Sequence, residues 1–210
     1  MANNYEYIVA GLPQLVLDFE SSHFELDDLI GSVRQQLSKK DNRLLDWLFG
    51  GMSASHMNTH FYRAAGRCND SFIRGYFAFD WEIRNIMAAY TAREYGMPVL
   101  TALVGHNELT DKLISSTKIE DFDLKSTSEY ATVLHKLMQL KEPLEREQQI
   151  DRLRWDKAEE LATFHYFDID VILAFLLKAS LVARWAKLDK VTGERLFKEL
   201  VAEVKGTYKA

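Results

Sequence analysis

His56 and His60 stand four residues apart, the spacing that puts two imidazoles on one face of a helix. A metal site would need further ligands, and the chain has no H-E-x-x-H and no E-x-x-H set to supply them. The segment around them is polar and aperiodic, so polar loop histidines are the better reading. His23, His106, His135 and His165 are scattered singly. Asp168 with Asp170, or Asp121 with Asp123, could form a carboxylate pair for acid–base work. Acids just ahead of a helix more often cap it and complement its dipole. Cys68 is the sole cysteine, so no intrachain disulfide forms, and a buried inert thiol is the expected state. Neither a G-x-x-x-x-G-K-S/T phosphate loop nor a G-x-S-x-G elbow is present. No catalytic residue, cofactor site or metal ligand is assigned.

Two charged constellations are more specific. In Tyr76–Pro98, Asp80 and Arg84 are four apart and can pair, while Asn85 and Arg93 lie between apolar turns where a polar group needs a partner. The plain reading is an amphipathic core helix with a solvated charged edge. In Glu145–Trp155, Glu147, Asp151 and Trp155 follow at steps of four. This run reads either as a solvated face with a Trp anchor or as a docking surface centred on Arg154 or Trp155. With Arg184, these residues are the candidates for structural or partner-docking roles.

The elements that position them follow a helical period almost throughout. Phe79, Ile83, Ile86, Met87 and Tyr90 recur at steps of three and four. Asp70 or Ser71 caps that helix, which ends near Tyr95, where Gly96 and Pro98 stop it. Other helices are predicted over Glu25–Leu37, from Ser38 to Phe49 with a stop at Gly50-Gly51, from Asn107 to Ile114, and from Thr127 to about Leu140. Pro143 restarts the pattern for Leu144–Thr163, followed by the apolar Phe164–Leu188 and a final Leu196–Val204. Tyr5–Ala10 reads as a short strand or extended arm tucked against the body. Met52–Asp70 reads as a loop or irregular lobe, Pro98–Gly105 as a short helix or turn, and Ser115–Lys125 as a connection. The fold class is therefore mostly α, a multi-helix bundle in one domain of 1–210. The aromatic–acidic lead-ins Tyr76–Asp80 and Phe164–Asp170 suggest two diverged repeats, 1–120 and 121–210.

The chain has 210 residues, 47% of them hydrophobic, which is enough for a real core. A net charge of −5 argues against non-specific nucleic-acid binding and against an anionic membrane surface. The N-terminus lacks signal-peptide features, and Val171–Val182, the longest apolar run, is interrupted by Lys178 and too short to span a bilayer. A reducing, cytoplasmic setting is expected.

The segments YEYIVAGLPQL, LSKKDNRLLDWLF, EREQQIDRLRW and FHYFDIDVILAFLLKASLVARWAKLD resemble those of an uncharacterised bacterial family encoded beside V/A-type ATPase genes. More distantly, the central stretch resembles the repeat of the C-type (in eukaryotes, d-type) subunit of V/A-type ATPases. Glu82, Asn85-Ile86, Arg93 and Gly96 stand in the places of its acid, Asn-hydrophobic pair, Arg and Gly. Asp170 to Arg184 resembles a second copy, departing at Trp185, where Asn would stand. The C-type protein resembles three such repeats, and this chain has room for about two. The resemblance implies a non-enzymatic helical adaptor between the membrane rotor ring and the central stalk, cytoplasmic and held peripherally at the inner membrane by the ATPase complex. Its partners would be other ATPase subunits, and no cofactor is implied. The alternatives are a metal- or carboxylate-dependent helical-bundle enzyme, or a freestanding protein-interaction module.

Overall fold

Asp70 starts the longest helix by accepting the Ile73 amide on its carboxylate at 2.9 Å. This helix, α5 (Ser71–Glu94), is the centre of the computed structural model, which describes residues 3–17, 25–53 and 57–187. Around it are α1 (Glu6–Gly11), α2 (Leu26–Gln36), α3 (Lys39–Met52), α4 (Thr59–Ala65), α6 (Val99–Ala102), α7 (Glu108–Ser115), α8 (Ala131–Met138), α9 (Pro143–Ala162) and α10 (Ile169–Ala186). The described residues contain no strand. The protein is an all-α, multi-helix fold.

Helix α5 packs against α3, α4, α6, α7, α8 and α9, and α10 lies along α9 and reaches α2 and α3. Phe72, Phe77, Ile83 and Ile86 of α5 are fully buried, as are Leu173, Leu176 and Leu177 of α10. Each such side chain contributes about 1.5–3 kcal/mol by leaving water. The predicted solvated edge of α5 is only partly at the surface: Asp80 is 1% exposed and Asn85 2%, while the Arg84 side chain keeps 36%. With neighbours on so many sides, the helix has little room for a wet polar face.

The ends of α5 are as predicted. Gly96 takes the left-handed conformation at φ +66, which favours glycine, and Pro98 then precludes continuation. Four other readings are corrected. Tyr5–Ala10 is not a strand, because α1 occupies it; its anchor is the Tyr5 hydroxyl, which donates to Asp41 Oδ2 at 2.5 Å. The non-helical piece is residues 12–17, whose Leu15 and Leu17 cover Trp155, Leu181 and Val182. Helix α3 does not stop at Gly50-Gly51 but runs to Met52. A Cβ on Gly51 would lie 2.3 Å from the rings of Phe61 and Phe77, so this glycine serves close packing rather than termination. The 52–70 segment contains α4, begun by the Asn58 side chain accepting the Phe61 amide at 3.0 Å. Helix α8 starts at Ala131, later than the predicted Thr127. His56 and the predicted Leu196–Val204 helix lie outside the described residues.

Candidate functional site

The candidate residues gather where α5, α9 and α10 meet. Proline at the first position of α9 supplies a helical φ and lacks only an amide that would be orphaned there. Two turns further on, Ile150 and Asp151 point inward, and Asp151 is 0% exposed. Its Oδ1 accepts Arg154 Nη1 at 2.8 Å, and its Oδ2 accepts Trp185 Nε1 at 2.7 Å and Arg184 Nη2. Both carboxylate oxygens are thus satisfied, and α9 is fastened to α10.

Asp80 is the second buried acid. Its Oδ2 accepts Arg84 Nε at 2.6 Å and the Tyr62 hydroxyl at 2.8 Å, while Oδ1 makes no hydrogen bond and faces Arg154 Nε across 3.9 Å. Arg154 therefore stands between two carboxylates. Burial opposes its charge, but Tyr76, Asp80 and Asp151 outweigh that and raise its pKa further. Burial, then the charge of Asp80, drives the Tyr62 and Tyr76 hydroxyls far above the usual phenol range, so both stay neutral. With Glu147 at 3.5 Å from Arg184, three guanidiniums (Arg84, Arg154, Arg184) meet three carboxylates (Asp80, Asp151, Glu147). The group is electroneutral, and Asp80, Arg84, Asp151, Arg154 and Arg184 line a cavity of about 110 Å³. It can fix helix positions.

The remaining candidates act elsewhere. Asn85 binds both backbone groups of Val104, accepting its amide at 2.7 Å and donating to its carbonyl at 3.1 Å. The Arg93 guanidinium donates to the carbonyls of Ile119 and Glu120 at 2.7 and 2.6 Å and lies 4.1 Å over the Phe122 ring. Phe122 and Asp123 both have left-handed φ, of 54 and 53, a costly geometry for a bulky residue that the Arg93 clamp and complete burial of Phe122 hold in place. Trp155 is 8% exposed, with Lys178 at 4.7 Å over its ring and its indole N–H donated to Glu159. Arg154, at 9% exposure, and Trp155 are thus both largely buried within the chain.

A second cluster joins His165, which stands singly in the sequence, to the Asp168–Asp170 pair. His165, in the turn between α9 and α10, lies with Nδ1 2.5 Å from Asp168 Oδ2 and Nε2 3.5 Å from Asp170 Oδ2. Asp168 is also the N-cap of α10, accepting the Asp170 amide at 3.1 Å, in line with the capping reading. The hydrogen bond to Asp168 raises the His165 pKa against the effect of burial. Burial, then the nearby Asp70 charge, pushes Asp170 up to about 6. The signal for this cluster is the H-x-x-D-x-D spacing, but a turn, not a helix face, brings it together.

One protein family, described as "Protein of unknown function (DUF2764)", matches residues 50–207. The chain belongs to this family. No curated protein and no solved structure matches the chain. The DUF2764 match begins near the end of α3, so it takes in both clusters, while α1 and α2 precede it. Among the described residues of this DUF2764 protein, no helix is long and apolar enough to cross a membrane.

Proposed function

We propose that this DUF2764 protein is a non-enzymatic adaptor of a bacterial V/A-type ATPase, seated like the C-type protein of that complex between the membrane rotor ring and the central stalk. The observation that carries the reading is what the polar residues of the resembled repeat do in the fold. Asn85 ties the 103–104 segment to α5, Arg93 ties the 119–123 turn to it, and Arg184 ties α10 to α9. A coupling piece needs helices that hold their relative positions under load, and polar groups committed to internal bonds supply that without any reactive group. Arg84, Arg184 and Glu147 remain partly exposed at the rim of the network and offer polar contacts to a partner.

The test is affinity purification of the tagged full chain from its native host after gentle detergent solubilisation. The reading predicts recovery of rotor-ring and central-stalk proteins in fixed ratio. Repeated recovery of the ATPase without this chain, or of the chain without the ATPase, would overturn it.

A further inference from the structure

Asp170 differs from the other buried acids in what it lacks. It is 5% exposed, and among the described residues its carboxylate accepts the Ser71 hydroxyl at 3.3 Å and faces His165 Nε2 across 3.5 Å. Asp168 and Asp70 stand beside it with the same charge, and His165 is the one cationic group in ion-pair reach among the described residues. Lys40 and Arg43 line the same cavity of about 620 Å³, and neither pairs with Asp168 or Asp170. A buried carboxylate in this state is relieved either by a proton or by a cation that completes it.

The geometry suits a metal ion. Two ligands about 2.0–2.1 Å from a tetrahedral centre lie about 3.4 Å apart. His165 Nε2 and Asp170 Oδ2 are 3.5 Å apart. Asp168 holds the opposite nitrogen, Nδ1, which fixes the tautomer that leaves Nε2 free as a ligand. Ligand atoms of all three residues lie within 4.8 Å of one another. The segment is braced on both sides: the His165 amide donates to the Ala162 carbonyl at 3.0 Å, and the Tyr5 amide donates to the Phe167 carbonyl at 2.5 Å. The wide cavity gives an ion and its waters a route in.

We infer that His165 Nε2 and Asp170 Oδ2 bind a divalent transition-metal ion of the zinc type, with Asp168 orienting the imidazole. Imidazole beside carboxylate selects such an ion over magnesium or calcium, which prefer oxygen alone. The site is independent of the adaptor reading and stands or falls separately from it.

The experiment is calorimetric titration of the chelator-stripped full chain with zinc chloride, alongside thermal unfolding with and without zinc. One zinc per chain is expected, with a higher Tm in its presence. Magnesium chloride should give neither effect. His165→Ala and Asp170→Asn should abolish both. Asp168→Asn keeps an equally good helix cap, so it should fold normally and bind zinc about 10–100-fold more weakly. Absence of binding by the wild type would overturn the inference, as would zinc binding unchanged in His165→Ala and Asp170→Asn.

Discussion

Asp151 and Asp170 are both buried acids near α10, at 0% and 5% exposure, yet their surroundings are opposite. Asp151 receives two guanidiniums and an indole N–H; Asp170 receives one distant hydroxyl, faces His165 Nε2 at 3.5 Å and has two like charges beside it. Burial alone therefore does not separate a structural acid from a ligand. The number and charge of its partners do. The three-to-three balance around Asp151 and Asp80 leaves nothing for a ligand to neutralise, whereas the His165 corner has a deficit of positive charge.

The comparison would break most visibly at Asp151. Asp151→Asn strips the negative charge from between Arg154 and Arg184, and leaves the donors of Trp185 and both arginines facing an amide. A loss of about 3–5 kcal/mol is expected by urea unfolding. A loss under about 1 kcal/mol would show that the network is not what holds α9 to α10.

Next in size is Gly51, which lines the cavity of that network. Gly51→Ala drives a methyl into the rings of Phe61 and Phe77 and should cost about 1–3 kcal/mol, read from the same unfolding curves.

Asp41 supplies an intermediate case, a buried acid satisfied without a strong ion pair. It accepts from Tyr5, Asn3 and Ser38 at 2.5, 2.8 and 3.0 Å. Burial alone would raise its pKa, but these bonds together outweigh it and hold the value below the ordinary 3.8. The stabilisation it gives is thus present above pH 3.8 and is lost as the pH falls through its lower folded value. Asp41→Asn should cost about 1–2 kcal/mol at pH 7, and the gap from wild type should close in acid.

The smallest effect has the opposite sign. In metal-free buffer, Asp170→Asn removes a crowded charge while keeping a group that accepts from Ser71. A gain of about 0.5–1 kcal/mol is expected.

Much of this is legible in the chain. The caps at Asp70 and Asn107, the proline at the start of α9 and the stop at Gly96-Met97-Pro98 locate helix ends, because capping chemistry is local. Asp80 with Arg84 is visible as a four-residue step on one helix. That Arg154 and Arg184 complete it is not, since those contacts cross between helices. Helix α1 reads as a strand because its aromatic and β-branched residues favour one, and the bonds from Tyr5 to Asp41 and Phe167 that settle its place are tertiary. Gly51 looks like a terminator because nothing in the sequence shows the rings of Phe61 and Phe77 pressing on it. His165 looks solitary because its partners come together only in the turn that enters α10.

The most direct test of the contrast is thermal unfolding of the wild type, Asp151→Asn and Asp170→Asn side by side, in chelator at neutral pH. A sharply lower Tm for Asp151→Asn and an equal or higher Tm for Asp170→Asn are predicted. Comparable losses in both variants would contradict the account, because the two acids would then be doing the same structural job.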